Sequence, residues 1–496
     1  MYRVRFSAAG TAAVWTAMTV LTLTAPAAST VAAQTRPQPR NIVLILSDDH
    51  RYDFMSFLES APDFLSTPSM DRMADGGMLV ANAFVSTSLC SPSRASILTG
   101  QYAYHHGVVD NQSQLREGAI LFPQMLQEAG YQTAFVGKWH MGHQSDEPRP
   151  GFDHWVSFRG QGVYFDPTLN VDGEHHDVKG YITDILTDYA IDWLDERDPA
   201  KPFFLYLSHK AVHAEFKPAP RHRGVYADVT PDYPVTMANT EENYEGKPRW
   251  VRAQRYSWHG VDYMYHGQME FDEFYRSYAE TLLAMDESIG HVLDYLERTG
   301  LAESTLVIYM SDNGFVLGEH GLIDKRHAYE ESMRIPMLAW APGLIQPDSR
   351  IDQLILNVDV APTLLDLAGV STPEWMDGSS FLPLLERRPI PWRDRFDYVY
   401  YWEYYFPQTP TTFALRTDRY KYIFYHGIWD TDELYDLQND PLERWNLARE
   451  SAHRDRAVAM RDELFQRLAE VGALDVPFPL PHGDQVAKRG PGAPKE

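Results

Sequence analysis

Asn41 to Asp49 read "NIVLILSDD", an apolar run that ends in two adjacent carboxylates. A run without polar alternation suits a strand buried on both faces, because a half-exposed strand would alternate. The same texture recurs in "YQTAFVG" (Tyr131–Gly137), "PFFLYLSH" (Pro202–His209) and "TLVIYMSDNG" (Thr305–Gly314). Helical patterns lie between these runs. "LFPQMLQEAG" closes on Gly130 as a C-cap, and "TDILTDYAIDWLDE" offers Thr183 or Asp184 as an N-cap. Phe271 to Arg298 places Tyr278, Leu282, Met285, Ile289, Val292 and Leu296 on one helical face, the stripe expected of a core-facing helix. This alternation predicts an α/β fold: a large mixed, mostly parallel sheet sandwiched by helices. Ligands of such sheets bind beyond the carboxyl ends of the strands. Asp48 and Asp49, Lys138 and His140, and Asp312 and Asn313 all stand there.

Beyond "DVAPTLLDLAG" (Asp359–Gly369) the texture changes. Pro373, Pro383, Pro389 and Pro391 punctuate the chain, and aromatic strands follow in "YVYYWEYYF" and "RYKYIFYH". A helical pattern covers Ala452 to Val471. The expected organisation is a catalytic α/β domain over 34–370 and a smaller C-terminal α+β domain with an antiparallel sheet over 371–480. A Gly/Pro-rich flexible tail is expected over 481–496. Tyr233 to Gly267 has little periodicity and is expected to be a long loop insertion.

The first residues resemble an export signal. Arg3 and Arg5 precede the apolar run Ala12–Leu23, and Ala25-Pro26-Ala27 or Val31-Ala32-Ala33 suits a signal peptidase. The run is shorter than the ~20 residues a membrane span needs. A removable signal peptide over 1–33 and a periplasmic or extracellular protein, with no membrane association after its removal, are therefore expected. The net charge is -25, from 44 basic and 69 acidic residues. That balance argues against nucleic acid and anionic lipid as partners, so any anion must meet a local cationic pocket. With one cysteine, Cys90, no internal disulfide can form.

Two turns carrying clustered oxygens, Asp48-Asp49 and Asp312-Asn313, are what a hard divalent cation requires; either alone is more ordinary as a solvated turn. Lys138 and His140 place a fixed charge and a proton carrier at a sheet rim, with Trp139 expected to pack. "SHKAVHAE" adds His209 and His213, and "GEHGLIDKRHAYEE" adds His320, Lys325 and His327. Each histidine alone is more ordinary as a structural group. Cys90 precedes a helix expected over Ser93–Leu98 that carries Arg94. A helix N-terminus beside an arginine binds anions and lowers a thiol's pKa, although a lone cysteine is more often an inert hydrophobe.

"CSPSRASILTG" resembles the first signature of the type I, formylglycine-dependent sulfatases of the alkaline-phosphatase-like superfamily. "GYQTAFVGKWHMG" resembles their second. The likeness runs from about Asn41 to about Asn446. It implies that Cys90 is a precursor, oxidised by a separate formylglycine-generating or maturase enzyme to 3-oxoalanine. It implies one Ca²⁺ held by Asp48, Asp49, Asp312, Asn313 and the modified Cys90. A hydroxyl of the hydrated aldehyde would attack sulfur, Lys138 and Lys325 would neutralise sulfate oxygens, and Arg94 would orient the hydrate. His213 would protonate the leaving group, and His140 would act as the base that expels sulfate. "KAVHAE" departs from many relatives, which carry prolines around this histidine, and His209 is the competing candidate. His320 receives no role.

The resemblance implies a sulfuric ester hydrolase acting on a sulfated carbohydrate. "STSLCSPSRASILTGQYAYHHGVVDN" resembles the stretch in N-acetylglucosamine-6-sulfatases and in bacterial enzymes that desulfate mucins or marine polysaccharides. In that group the Tyr-x-His-x-Gly-Val run helps build the sugar subsite. His105 or His106 therefore becomes a candidate substrate contact. Trp258, Tyr263, Trp402, Tyr404 and Tyr405 suit stacking on sugar faces, or a core. The alternatives are an arylsulfatase or choline sulfatase acting on a small sulfate ester, a phosphonate or phosphate-ester hydrolase, and an inactive glycan-binding relative.

Overall fold

The computed structural model describes residues 41–427 and 430–477. The signal peptide expected over 1–33 and the tail expected over 481–496 lie outside the described residues. A ten-stranded sheet forms the core of the molecule. Its central strands, in spatial order Thr305–Ser311, Asn41–Ser47, Phe203–Ser208, Gln132–Lys138 and His154–Phe158, are parallel throughout. Antiparallel pairing appears at both margins, through Met337–Trp340 on one side and Thr168–Val171 and Glu174–Asp177 on the other.

The central strand shows why its sequence is apolar at successive positions. Val43 and Ile45 enter the core on one face, while Ile42, Leu44 and Leu46 enter the core on the other. Each such side chain contributes about 2 kcal/mol relative to an exposed one. The first face is covered by helices Phe271–Arg298, Ile182–Glu196 and Pro68–Gly76, through Leu282, Met285, Leu186, Met70 and their neighbours. The second is covered by Cys90–Thr99, Phe122–Glu128 and Val360–Leu367.

Three local expectations need correction. The helix after Tyr181 starts at Ile182, with neither Thr183 nor Asp184 as its cap. Thr183 is instead buried inside the first turn, where the core decides the boundary. The helix expected from Ser93 begins at Cys90 and closes on Gly100 in the left-handed region (φ 68°). The insertion at 233–267 is not a plain loop. It holds the short helices Glu241–Tyr244, Arg249–Ala253 and Trp258–Asp262. These bury isolated residues such as Tyr244, Trp250 and Val251, so no periodic stripe marks them.

The C-terminal strands Arg395–Tyr400, Thr412–Thr417, Tyr420–Tyr425 and Glu433–Asp436 form an antiparallel sheet. Helix Arg454–Glu470 covers one face of it through Met460, Leu464 and Leu468. The other face places Tyr398, Tyr400 and Ile423 in one core with Phe84, Leu89 and Tyr329. No helix among the described residues is long and apolar enough to cross a membrane.

Candidate active site

The carboxyl ends of the parallel strands bring the motif residues into one buried cluster. Asp48 and Asp49 follow the Asn41–Ser47 strand, and Asp312 and Asn313 follow Thr305–Ser311. Asp49 adopts a left-handed backbone (φ 61°), a conformation that Asp tolerates better than most residues. Carboxylate oxygens of Asp48, Asp49 and Asp312 lie within 4.8 Å of one another, all buried. The Asp49 N–H donates to Asp312 Oδ1 at 3.2 Å, and Asn313 Nδ2 donates to Asp49 Oδ1 at 2.6 Å.

Such crowding is costly. Burial pushes Asp49 up to about 7, with Asp48 and Asp312 adding to the effect against Lys325. Asp312 is raised for the same reasons, burial first and then Asp48. Asp48 moves the other way: burial opposes its charge, but Lys138, His213, Arg94 and Lys325 outweigh burial and hold it well below the carboxylate range. Asn313 Oδ1 is buried with no hydrogen-bond partner. Three converging carboxylates and an orphaned amide oxygen fit a hard divalent cation, which binds oxygen ligands and relieves their repulsion.

Arg94, on the Cys90–Thr99 helix, braces this cluster. Its Nε donates to Asp312 Oδ2 at 2.8 Å and its Nη2 to Asp48 Oδ2 at 3.2 Å. Its Nη1 reaches Lys138 O and Ser208 Oγ at 2.7 and 2.6 Å. The first turn of the same helix carries Cys90. Lys325 Nζ lies 2.9 Å from Cys90 Sγ, Asp48 Oδ1 3.6 Å and Lys138 Nζ 3.9 Å. The thiol is wholly buried. Burial, then the Asp48 charge, pushes it up to about 12 against the two lysines. This agrees with the ordinary reading of a buried cysteine and not with a lowered thiol pKa; the guanidinium of Arg94 is paired with Asp48 and Asp312. The shift favours the thiol over the thiolate.

Lys138 is the last residue of its strand and bonds Asp48 and the half-buried Gln161. Gly137 before it has φ 127°, and a Cβ there would lie 1.8 Å from Ser208 O, so only glycine lets the two strand ends close. His140 is buried, with Nδ1 3.4 Å from Ser91 Oγ. Burial and then the Lys138 charge hold it well below the usual imidazole value. His213 points Nε2 towards Asp49 Oδ2 at 3.9 Å and bonds Ala214 O through Nδ1. Burial, Lys325 and Lys138 hold it neutral as well. Trp139 packs against Phe135 and Trp155.

The remaining histidines are placed elsewhere. His209 is buried and bonds Ser288 on the long helix at 3.0 Å. His320 stacks on Tyr329 at 4.1 Å with both nitrogens unpartnered. His105 pairs with Asp377, and His106 bonds Ser96 Oγ and the Val108 N–H. Two site residues escaped the sequence reading. Gln161 follows a strand end, which was a usable signal. Lys210 is buried, lies 4.8 Å from the Tyr164 ring centre, and has no ion pair among the described residues. Burial, then the like charge of Lys138, pushes it down to about 7.

Comparison with known proteins agrees with this geometry. Residues 40–370 match the family model described as Sulfatase, and 318–470 match that of the N-sulphoglucosamine sulphohydrolase C-terminal region. An N-acetylglucosamine-6-O-sulfatase from Bacteroides thetaiotaomicron is 35% identical, covering 87% of this chain and 86% of that protein. The human N-acetylglucosamine-6-sulfatase is 32% identical over 72% of this chain and 65% of its own length. A structure described as a complex with its substrate D-glucosamine-2-N,6-O-disulfate superposes with TM-score 0.81 and 33% identity. It covers 88% of this chain and 99% of that one.

Proposed function

The chain belongs to the sulfatase family and is a sulfuric ester hydrolase, and from that premise we propose that it removes O-sulfate from carbohydrate, most suitably 6-O-sulfated glucosamine units. The names and bound substrate of the relatives above support the sugar. The observation that carries the reaction is the setting of Cys90: two lysine ammonium groups within 3.9 Å of a buried sulfur that borders Asp48, one of three clustered carboxylates. That is a cradle for a tetrahedral anion beside a cation site.

Asp48, Asp49, Asp312 and Asn313, with residue 90, would hold calcium. Oxidised to formylglycine by a maturase, residue 90 supplies an oxygen nucleophile, made more acidic by the cation. Lys325 and Lys138 take up the charge of the sulfate oxygens. The arriving anion offsets the lysine charges that, after burial, hold His213 down, which favours the proton this imidazole gives to the leaving alkoxide. His140, neutral and buried, accepts a proton in the second half of the cycle. Arg94 acts through Asp48 and Asp312, which it fixes. The leader-like N-terminal sequence supports an exported enzyme, periplasmic or extracellular.

The test is sulfate release from N-acetylglucosamine 6-sulfate, p-nitrophenyl sulfate and a phosphonate monoester under one set of conditions. The sugar sulfate is expected to give the highest kcat/KM. Faster turnover of the phosphonate would overturn the reading, and faster turnover of the aryl ester would overturn its carbohydrate part.

A further inference from the structure

Asp324 immediately precedes Lys325, and its carboxylate is fully engaged on one side. Oδ1 accepts from the Lys325 N–H and from Arg326 Nη1, each at 2.7 Å. Its other oxygen, Oδ2, lies 3.5 Å from Nδ1 of His259, a charge contact rather than a hydrogen bond. Although burial opposes it, Arg326 and His259 hold Asp324 well below the carboxylate range, so it is an anion. An ionised carboxylate at Nδ1 selects the tautomer with its proton there and leaves Nε2 as the working end of the ring. Nε2 of His259 has no partner among the described residues, and the side chain is 13% exposed. His213, nearer the cysteine, meets its carboxylate at 3.9 Å, while both nitrogens of His327 and Nε2 of His140 are buried without a hydrogen-bond partner.

The surroundings of His259 are aromatic. It is carried by the short helix Trp258–Asp262 of the insertion. Its ring and that of Trp258 each lie 5.4 Å from Phe406. Phe406 in turn lies under the guanidinium of Arg326, at 3.3 Å, and Arg326 bonds Glu403. Trp258 remains 39% exposed. Insertion and C-terminal segment thus meet beside Lys325, forming an apolar wall next to one oriented polar tip. A pyranose presents that combination, with C–H faces for the rings and hydroxyls for the nitrogen.

We propose that His259, aligned by Asp324, is a specificity-determining residue that hydrogen-bonds a ring hydroxyl of the sugar whose sulfate sits against Lys325. The subsite rests on the carbohydrate reading above and extends it to a named contact. It also gives the insertion a purpose: delivering an imidazole that the parallel sheet itself cannot supply.

The experiment compares kcat/KM for N-acetylglucosamine 6-sulfate with kcat/KM for p-nitrophenyl sulfate, which has no sugar hydroxyl. Wild type, His259→Ala and His259→Gln are used, each with a thermal melt to establish folding. The sugar-to-aryl ratio is expected to fall about tenfold or more in His259→Ala, mainly through the sugar KM. His259→Gln keeps a polar tip near the Nε2 position and is expected to recover part of the ratio. An unchanged ratio in His259→Ala overturns the subsite, as does a ratio that His259→Gln leaves as low as the alanine. Wild type that turns over only the aryl ester overturns the carbohydrate reading and the subsite together, which separates the two failures.

Discussion

Lys325 Nζ lies 2.9 Å from Cys90 Sγ while also contacting Asp49 Oδ1 at 2.6 Å. One ammonium group therefore bridges the residue proposed for modification and a carboxylate of the acidic cluster. Burial works against its charge, but Asp49 dominates among the groups that raise its pKa, so the lysine stays cationic. Four further expectations follow from this arrangement and from the buried ion pairs elsewhere.

Lys325→Ala is expected to lower kcat on a sulfate ester by about a hundredfold to a thousandfold, the usual cost of losing one positioned donor to a developing anion. In calcium-free buffer the variant should also melt earlier, because Asp49 loses its partner while buried. Wild-type kcat in the variant would remove Lys325 from the reaction.

Cys90→Ala is expected to fold and to lose turnover. Peptide mass spectrometry of active wild-type protein should find residue 90 converted from the thiol. An active preparation carrying only the thiol would contradict the proposed chemistry, since burial pushes this thiol up to about 12.

Chelation should lower both activity and melting temperature, with calcium restoring them. A site filled at a hundred times its Kd adds about 2.7 kcal/mol of stability. The three crowded carboxylates are the source of that coupling, and a melting curve indifferent to chelator would count against a metal there.

Glu330 gives a pH signature remote from the site. Its carboxylate meets Arg416 at 3.2 Å and Lys421 at 3.1 Å, and despite burial these hold it down at about 2 against an ordinary 4.5. A depressed folded value means stability that is present above pH 4.5 and is lost as pH falls towards 2. Glu330→Gln should flatten that part of the denaturation curve measured against pH. An unaltered acid limb would show that the pair contributes nothing.

The central strands were legible because burial on both faces writes an unbroken apolar run, as at Asn41–Ser47. The acidic pairs, Lys138 and Lys325 were legible because strand ends and short motifs are local. What the sequence hid is tertiary. Asp324 and His259 come from separate turns, and no spacing rule links them. Lys210 differs from a surface lysine only by what packs over it. The helix start beside Arg94 hinted at a lowered thiol pKa, but burial raises it instead, and Arg94 is committed to Asp48 and Asp312.

Cys90 has no surface open to solvent in the finished fold. A catalyst that converts this side chain, as proposed, would need the polypeptide while it is still open, and a molecule that closes first would be lost to it. Yield of active enzyme becomes a race between two clocks, the arrival of the modifying partner and the collapse of the sheet. Slowing the second by cooling, or hastening the first by co-expressing the partner, should raise the converted fraction without altering the final architecture.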